Sequence, residues 1–168
     1  MSYHSPQYTP ARGETVDHGE QVLASLDAGL NCAESMVAAF AGWVGIPRET
    51  GIRAATGFGA GMGRAGSVCG LVSGGVLILG WAFGRTDSRD EAAKERAYCA
   101  VAELLRAVRA SCGSILCTDL IGVDLTTEEG RHRALEEELL IARCRATAEV
   151  VAEILDRILG SSVGKGLA

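Results

Sequence analysis

The longest uncharged stretch of the chain covers residues 65–84, between two arginines. Twenty residues without a charge are long enough to ask about a membrane span. The flanking glycines belong to turns, however, and the helical part, residues 68–83, would be only about 24 Å long at 1.5 Å per residue. Gly70 and Gly74 also have the spacing that lets two helices approach closely. We therefore expect a buried central helix in a bundle and no membrane association.

A glycine-rich segment precedes this helix. Five of the eleven residues in 57–67 are glycine, so the backbone either turns sharply here or is approached closely by another part of the molecule. Gly61, Gly63 and Gly66 match the dinucleotide-binding pattern literally. That pattern requires a preceding strand in a strand–helix–strand unit, and residues 52–56 have a helical character instead. Nicotinamide or flavin binding is therefore not expected.

Helical periodicity covers most of the remaining chain, and no segment shows the sustained alternation of a strand. Asn31 is expected to cap the second helix, with Glu34 placed to reach back to the cap. The predicted helices cover residues 15–29, 31–42, 47–56, 68–83 and 88–110, a short turn at 117–121, and one or two helices within 126–159. The sequence predicts an all-α fold, a compact helical bundle of about six helices with a Gly-rich loop before a buried central helix.

Length and charge define the broad class of protein. The 168 residues suit one domain, which we place at residues 14–160, between a flexible arm at 1–13 and a flexible tail at 161–168. The net charge of −5 comes without a basic stripe, so nucleic acid is not an expected partner. The polar N-terminus has no apolar signal core, and we expect a cytoplasmic protein.

The six cysteines are the residues that most clearly indicate a chemical function. In a cytoplasmic protein they are reduced at rest, which favours metal binding or redox chemistry over a disulfide scaffold. No C-x-x-C pair occurs, which removes the zinc ribbon, the thioredoxin motif and the ordinary ferredoxin spacing. We interpret Cys99 as a buried structural thiol. The three histidines, which we expect in surface or capping roles, are dispersed: His4, His18 and His132.

Three cysteines occupy predicted helix starts, namely Cys32, Cys69 and Cys117. A helix N-terminus offers unpaired N–H groups and the positive end of the dipole, and both lower the pKa of a thiol. Cys144 lies in the middle of the last helix among alanines, which would let another segment approach.

The chain resembles a family described as redox-active and named for the C_GCAxxG_C_C cysteine pattern. The matching features cover roughly residues 15–160: Asn31-Cys32-Ala33, the glycine run at 57–64, residues 66–74 around Cys69-Gly70, residues 113–122 around Cys117, and Cys144. The resemblance implies a helical fold of this size and a redox role or metal ligation. It maps the four shared cysteines of the family onto Cys32, Cys69, Cys117 and Cys144. Leu71 departs from the usual alanine, and Cys112 is an addition.

Our leading hypothesis is that these four cysteines ligate an iron–sulfur cluster for electron transfer or redox sensing. The backbone at Gly61 and Gly63 would approach the sulfurs of the cluster, and Arg64 would offset the negative charge.

A second hypothesis is a metal-free dithiol oxidoreductase. In it Cys32 or Cys69 attacks the disulfide of a redox partner protein or a small molecule, and Cys112 or Cys117 resolves the intermediate. A third hypothesis is a non-enzymatic helical module with a structural zinc site. Because helix 68–83 is apolar almost all round, we also expect a homo-oligomer, possibly a dimer.

Overall fold

A computed structural model describes residues 17–136 and 139–163 of the protein. In these residues the fold is all-α, as predicted, with eight helices instead of about six and no strand. The helices are α1 (His18–Asp27), α2 (Cys32–Val44), α3 (Arg48–Ala55), α4 (Gly70–Phe83), α5 (Glu91–Cys112), α6 (Cys117–Ile121), α7 (Glu128–Glu136) and α8 (Leu139–Val163). A 3₁₀ turn at Thr56–Phe58 and a tight turn at Gly59–Met62 link α3 to α4.

The start of α2 is fixed by the cap that the sequence predicts. The Asn31 side chain accepts hydrogen bonds from the backbone N–H groups of Ala33 and Glu34, and the Glu34 carboxylate accepts one from the Asn31 N–H. This reciprocal pair is a capping box, which satisfies N–H groups that have no partner within the helix. Asn31 also donates to the Thr56 carbonyl oxygen at 3.2 Å, so the same residue ties α2 to the turn after α3.

Helix α4 is the central helix, and its glycines let it lie close to its neighbours. A Cβ on Gly74 would lie 2.9 Å from both the Ala33 carbonyl oxygen and the Met36 Cβ of α2. On another face of the helix, a Cβ on Gly75 would lie 3.0 Å from Leu104 of α5 and 3.2 Å from Leu155 of α8. The glycine spacing that is typical of closely paired helices therefore brings α4 against α2 and sets the depth of the core.

Helix α4 is only partly buried. Its N-terminal half is buried, whereas Trp81 near its C-terminus is 41% exposed. The helix is thus central at one end only, and the expected homo-oligomer stays a prediction. Within the described ranges, no helix combines the length and apolar character that crossing a bilayer would require.

One of the two described histidines differs from its expected surface role. His18 is buried, stacks on the Phe40 ring with 4.1 Å between ring centroids, and hydrogen-bonds through Nδ1 to Asp156 at 2.6 Å. It joins α1 to both α2 and α8, so the surface expectation is wrong for His18. His132 is exposed and lies 3.1 Å from Glu136. His4 lies outside the described residues.

The predicted arm at residues 1–13 and residues 164–168 of the predicted tail also lie outside the described residues. Helix α8 continues to Val163, three residues into the segment that we assigned to the tail.

Candidate functional site

The N-terminal ends of three helices each carry a cysteine. Cys32 and Cys117 are the first residues of α2 and α6, and Cys69 immediately precedes α4, which confirms the three predicted helix starts. Cys32 is half-buried, while Cys69 and Cys117 are buried. The sequence pattern therefore placed these thiols correctly along their helices. Whether they meet depends on how the helices pack.

Backbone pairing between two short segments joins Cys69 to Cys117. The Cys69 N–H donates to the Ile115 carbonyl oxygen at 2.8 Å, and the Cys117 N–H donates to the Ser67 carbonyl oxygen at 2.7 Å. An isolated antiparallel bridge lies between these bonds. Such paired bonds hold two chain segments at a fixed spacing. They bring together two thiols that are distant in the sequence.

The glycine-rich segment forms a left-handed turn beside this pairing. Residues 60–64 all have positive φ, between 52° and 72°, although Ala60, Met62 and Arg64 are not glycine. Each of these three non-glycine residues costs about 1–2 kcal/mol in this conformation. Strain of this kind persists only where the surrounding structure enforces it, and it concentrates at functional sites.

The close contact between the turn and Cys117 requires glycine at position 61. A Cβ on Gly61 would lie 2.6 Å from the Cys117 Cβ and 2.8 Å from the Ser67 backbone nitrogen. Real Cβ atoms do not approach so closely, so only glycine lets the turn contact Cys117.

Cys144 on α8 completes the group. Cys144 lies close enough to the Cys32 thiol to raise its pKa, and both residues line a pocket of about 280 Å³ together with Cys117. The walls of the pocket are mainly apolar, and include Leu26, Leu30, Asn31, Ala60 and Ile121. Four segments distant in sequence thus contribute the thiols Cys32, Cys69, Cys117 and Cys144 to one region of the molecule.

The pKa values of the three thiols at helix starts are raised, whereas we expected them to be lowered. The side chain of Cys144 and then burial raise the pKa of Cys32 well above its ordinary value of 9.0. Burial, with a smaller contribution from Cys32, raises the pKa of Cys69 to about 12, although the N–H groups of Leu71 and Val72 lower it. Burial, followed by Cys69 and Cys32, raises the pKa of Cys117 to about 12. Desolvation of Cys69 and Cys117, and the effect of Cys144 on Cys32, therefore raise pKa values that we expected the helix N-termini to lower, and that expectation is wrong.

Two of the residues that line the pocket, Asp27 and Arg145, form an ion pair. Arg145 Nη1 lies 2.5 Å from Asp27 Oδ1 and connects α8 to the C-terminal end of α1. Sequence reasoning missed Arg145, whose position directly after Cys144 was the available signal. The same reasoning assigned Asn31 only a capping role, yet Asn31 also lines the pocket.

Other predicted site residues are less closely associated with the pocket. Gly63 and Arg64 are exposed, and a Cβ on Gly63 would meet nothing closer than 3.9 Å. Cys112 is half-buried, and burial raises its pKa. Its effect on the pKa of Cys69 is the smallest of the causes that act on that thiol. Cys99 is exposed, so our interpretation of it as a buried thiol is wrong.

The described side chains do not form a site for a single metal ion. Among them, no group of three or more His, Cys, Asp or Glu residues is arranged to hold such an ion. The zinc hypothesis therefore receives no support from this part of the chain. The participation of Cys32, Cys69, Cys117, Cys144, Gly61, Gly63 and Arg64 in binding a cofactor stays a prediction.

Comparisons with known proteins agree with the cysteine pattern. No curated protein and no solved structure matches the chain. A family model does match, over residues 30–158, with the description "Putative redox-active protein (C_GCAxxG_C_C)". The matched region includes all four cysteines of the group and covers well over half of the sequence. The chain therefore belongs to the C_GCAxxG_C_C family.

Proposed function

We propose that the protein is a thiol redox protein in which Cys32 and Cys144 interconvert between a dithiol and a disulfide. The observation that carries this proposal is that the two thiols line the same pocket, where Cys144 is the largest cause that raises the pKa of Cys32. The disulfide bond brings the two sulfurs to about 2.0 Å, and the pocket gives a reagent access to both residues. Cys144 thus takes the resolving role that sequence reasoning gave to Cys112 or Cys117.

The reaction is a thiol–disulfide exchange with a partner disulfide, carried by a small molecule or a redox partner protein. The thiolate of one cysteine attacks a partner sulfur, forms a mixed disulfide and releases one partner thiolate. The second cysteine then displaces the other partner thiolate and closes the Cys32–Cys144 bond. The two protons of the dithiol pass to the two partner thiolates. The protein is oxidised by two electrons, and the partner disulfide is reduced to two thiols.

Peptide mapping after oxidation tests this proposal. The reduced protein is treated anaerobically with bis(2-hydroxyethyl) disulfide, alkylated, digested and analysed by mass spectrometry. We expect a peptide pair linked through Cys32 and Cys144. The pair should be absent from Cys32→Ser and Cys144→Ser and unchanged in the control Cys99→Ser, whose thiol is exposed. A dominant linkage that joins Cys32 to another cysteine, or no linkage at all, would contradict the proposal.

A second candidate function is ligation of an iron–sulfur cluster for electron transfer or redox sensing. It is supported by the electrostatic effect of Cys32 on both Cys69 and Cys117, since thiolates that destabilise one another are stabilised by a bound cation. Four cysteine sulfurs are the usual donor set of a cluster, and here they would be those of Cys32, Cys69, Cys117 and Cys144. When bound, a cluster would supply one-electron transfer.

Anaerobic reconstitution with iron and sulfide separates the two candidates. A cluster protein should retain stoichiometric iron and sulfide and show a charge-transfer absorption band. Cys69→Ser should lose this band, whereas Cys99→Ser should keep it. A protein that retains no iron, yet forms the Cys32–Cys144 linkage, excludes the second candidate and leaves the first.

A further inference from the structure

The pocket beside the thiols combines apolar walls with one ion pair. Leu26, Leu30 and Ile121 contribute apolar surface, and the charged residues that line the pocket are Asp27 and Arg145. Its volume of about 280 Å³ is just below the roughly 300 Å³ at which ligand pockets usually begin. A small molecule with a short apolar chain and one charged group matches this space better than a bulky peptide.

The ion pair indicates the sign of the charge on the ligand's charged group. The Asp27 side chain is 63% exposed and that of Arg145 is 37% exposed, so water screens their attraction. Exposed pairs of this kind contribute little to stability, and exchange of one carboxylate for another therefore costs little. The planar guanidinium group donates in a fork that fits a carboxylate, and in this structure the group that it holds is already a carboxylate.

Arg145 also has the right position relative to the reacting sulfurs. It directly follows Cys144 on α8, and both residues line the pocket with Cys32. A ligand carboxylate on Arg145 would therefore leave the rest of a short molecule lying along the apolar wall towards the two thiols. Binding in a fixed orientation raises the rate of the exchange because it removes the search for a productive approach.

From these observations we infer that the pocket is the binding site for a small disulfide that carries a carboxylate. Arg145 exchanges its bond to Asp27 for a bond to the ligand carboxylate, and the alkyl arm packs against Leu26 and Leu30. The disulfide then reacts with Cys32 and Cys144, which become a disulfide, while the two halves of the ligand are released as thiols, one of which bears the carboxylate held by Arg145. This inference rests on the proposed function of the Cys32–Cys144 pair, and it adds the substrate class.

Three disulfides of similar size and different charge test the inference. They are 3,3′-dithiodipropionate, bis(2-hydroxyethyl) disulfide and cystamine, which are anionic, neutral and cationic at neutral pH. The rate of formation of the Cys32–Cys144 linkage is measured with each reagent. It is divided by the rate of the same reagent with a small dithiol, which removes differences in intrinsic reactivity. We expect a normalised preference of at least about tenfold for the anionic over the neutral reagent, equivalent to about 1.4 kcal/mol.

Variants assign the preference to the ion pair. Arg145→Met should reduce the ratio of anionic to neutral rates to near one. Arg143→Met is the matched control, because Arg143 is an exposed arginine on the same helix outside the residues that line the pocket, and the ratio should persist. Asp27→Asn should increase the ratio, since it frees Arg145. Circular dichroism of each variant checks that the fold is retained.

The possible outcomes separate this inference from the proposed function. Equal normalised rates with all three reagents would overturn the inference while the linkage itself still supports the Cys32–Cys144 pair. A preference that survives in Arg145→Met but not in Arg143→Met would also overturn it. No linkage with any reagent would overturn the proposed function instead.

Discussion

Alanine substitution of Gly61 tests whether the left-handed turn is enforced by its contact with Cys117. Gly61 and Gly63 provide a matched pair, because their φ angles are +68° and +62°. An alanine Cβ on Gly61 would meet Cys117 Cβ and two backbone atoms of Ser67 at 2.6–2.9 Å, whereas one on Gly63 would meet nothing within 3.9 Å. The two variants therefore share the backbone strain, and only Gly61→Ala adds a clash.

The expected magnitudes follow from these two contributions. Alanine in the left-handed region costs about 1–2 kcal/mol, which is the whole expected loss for Gly63→Ala. Forcing a methyl group into a closed space typically costs a further 1–3 kcal/mol, roughly, so Gly61→Ala should lose about 2–5 kcal/mol in all. The backbone of Ser67 cannot move away without breaking its hydrogen bond from the Cys117 N–H.

Urea unfolding gives the free energy of unfolding of each variant by linear extrapolation. As a second measurement, the rate at which Cys117 is alkylated should rise in Gly61→Ala, because displacement of the turn exposes the thiol. Equal losses of unfolding free energy in the two variants would refute the reasoning, because they would show that the clash with Cys117 costs no stability. So would an unchanged alkylation rate of Cys117 in a destabilised Gly61→Ala.

Three further predictions concern the thiols and the cap of α2. Cys144→Ala removes the largest cause that raises the pKa of Cys32, so the midpoint of the alkylation rate of Cys32 against pH should move to lower pH; an unchanged midpoint would contradict the effect of Cys144 on Cys32. Cys69 and Cys117 keep their protons to about pH 12 in the folded protein, whereas the unfolded chain loses them from about pH 9. Their contribution to stability is therefore complete below pH 9 and is lost as the pH rises towards 12, so the urea midpoint should fall over this range, and less steeply in Cys69→Ala. Asn31→Ala should cost about 1–2 kcal/mol in urea unfolding because it removes the cap of α2; a loss near zero would show that the capping box is not formed in solution.

Local sequence signals predicted much of the helical framework. The cap formed by Asn31 and Glu34 is read from spacing alone, because its hydrogen bonds join residues three positions apart. More than about six helices are present because residues 117–121, which we predicted as a short turn, form α6, and because the region 126–159, for which we predicted one or two helices, contains both α7 and α8. His18 was misjudged because its partners, Phe40 and Asp156, are distant in the sequence.

Sequence reasoning named the four cysteines, whose role as one site stays a prediction, but it did not name the pair that shares the pocket. Helix starts identify Cys32, Cys69 and Cys117 as unusual thiols, and the family resemblance adds Cys144. Nothing in the spacing indicates that Cys32 would share a pocket with Cys144 instead of approaching Cys112. That pairing depends on α2 and α8 meeting in space, which no local pattern encodes.

The sequence by itself determined the periodicity, the caps, the glycine-rich turn and the four cysteines, because each depends on neighbours along the chain or on a shared family pattern. Tertiary structure decided which thiols meet, that Arg145 and Asp27 flank them, and that the thiol pKa values rise instead of falling. The physical reason is that desolvation and thiol–thiol contacts depend on everything packed around a sulfur, and most of those atoms come from distant parts of the sequence. A helix N-terminus favours thiolate in water, but burial in this bundle reverses the balance.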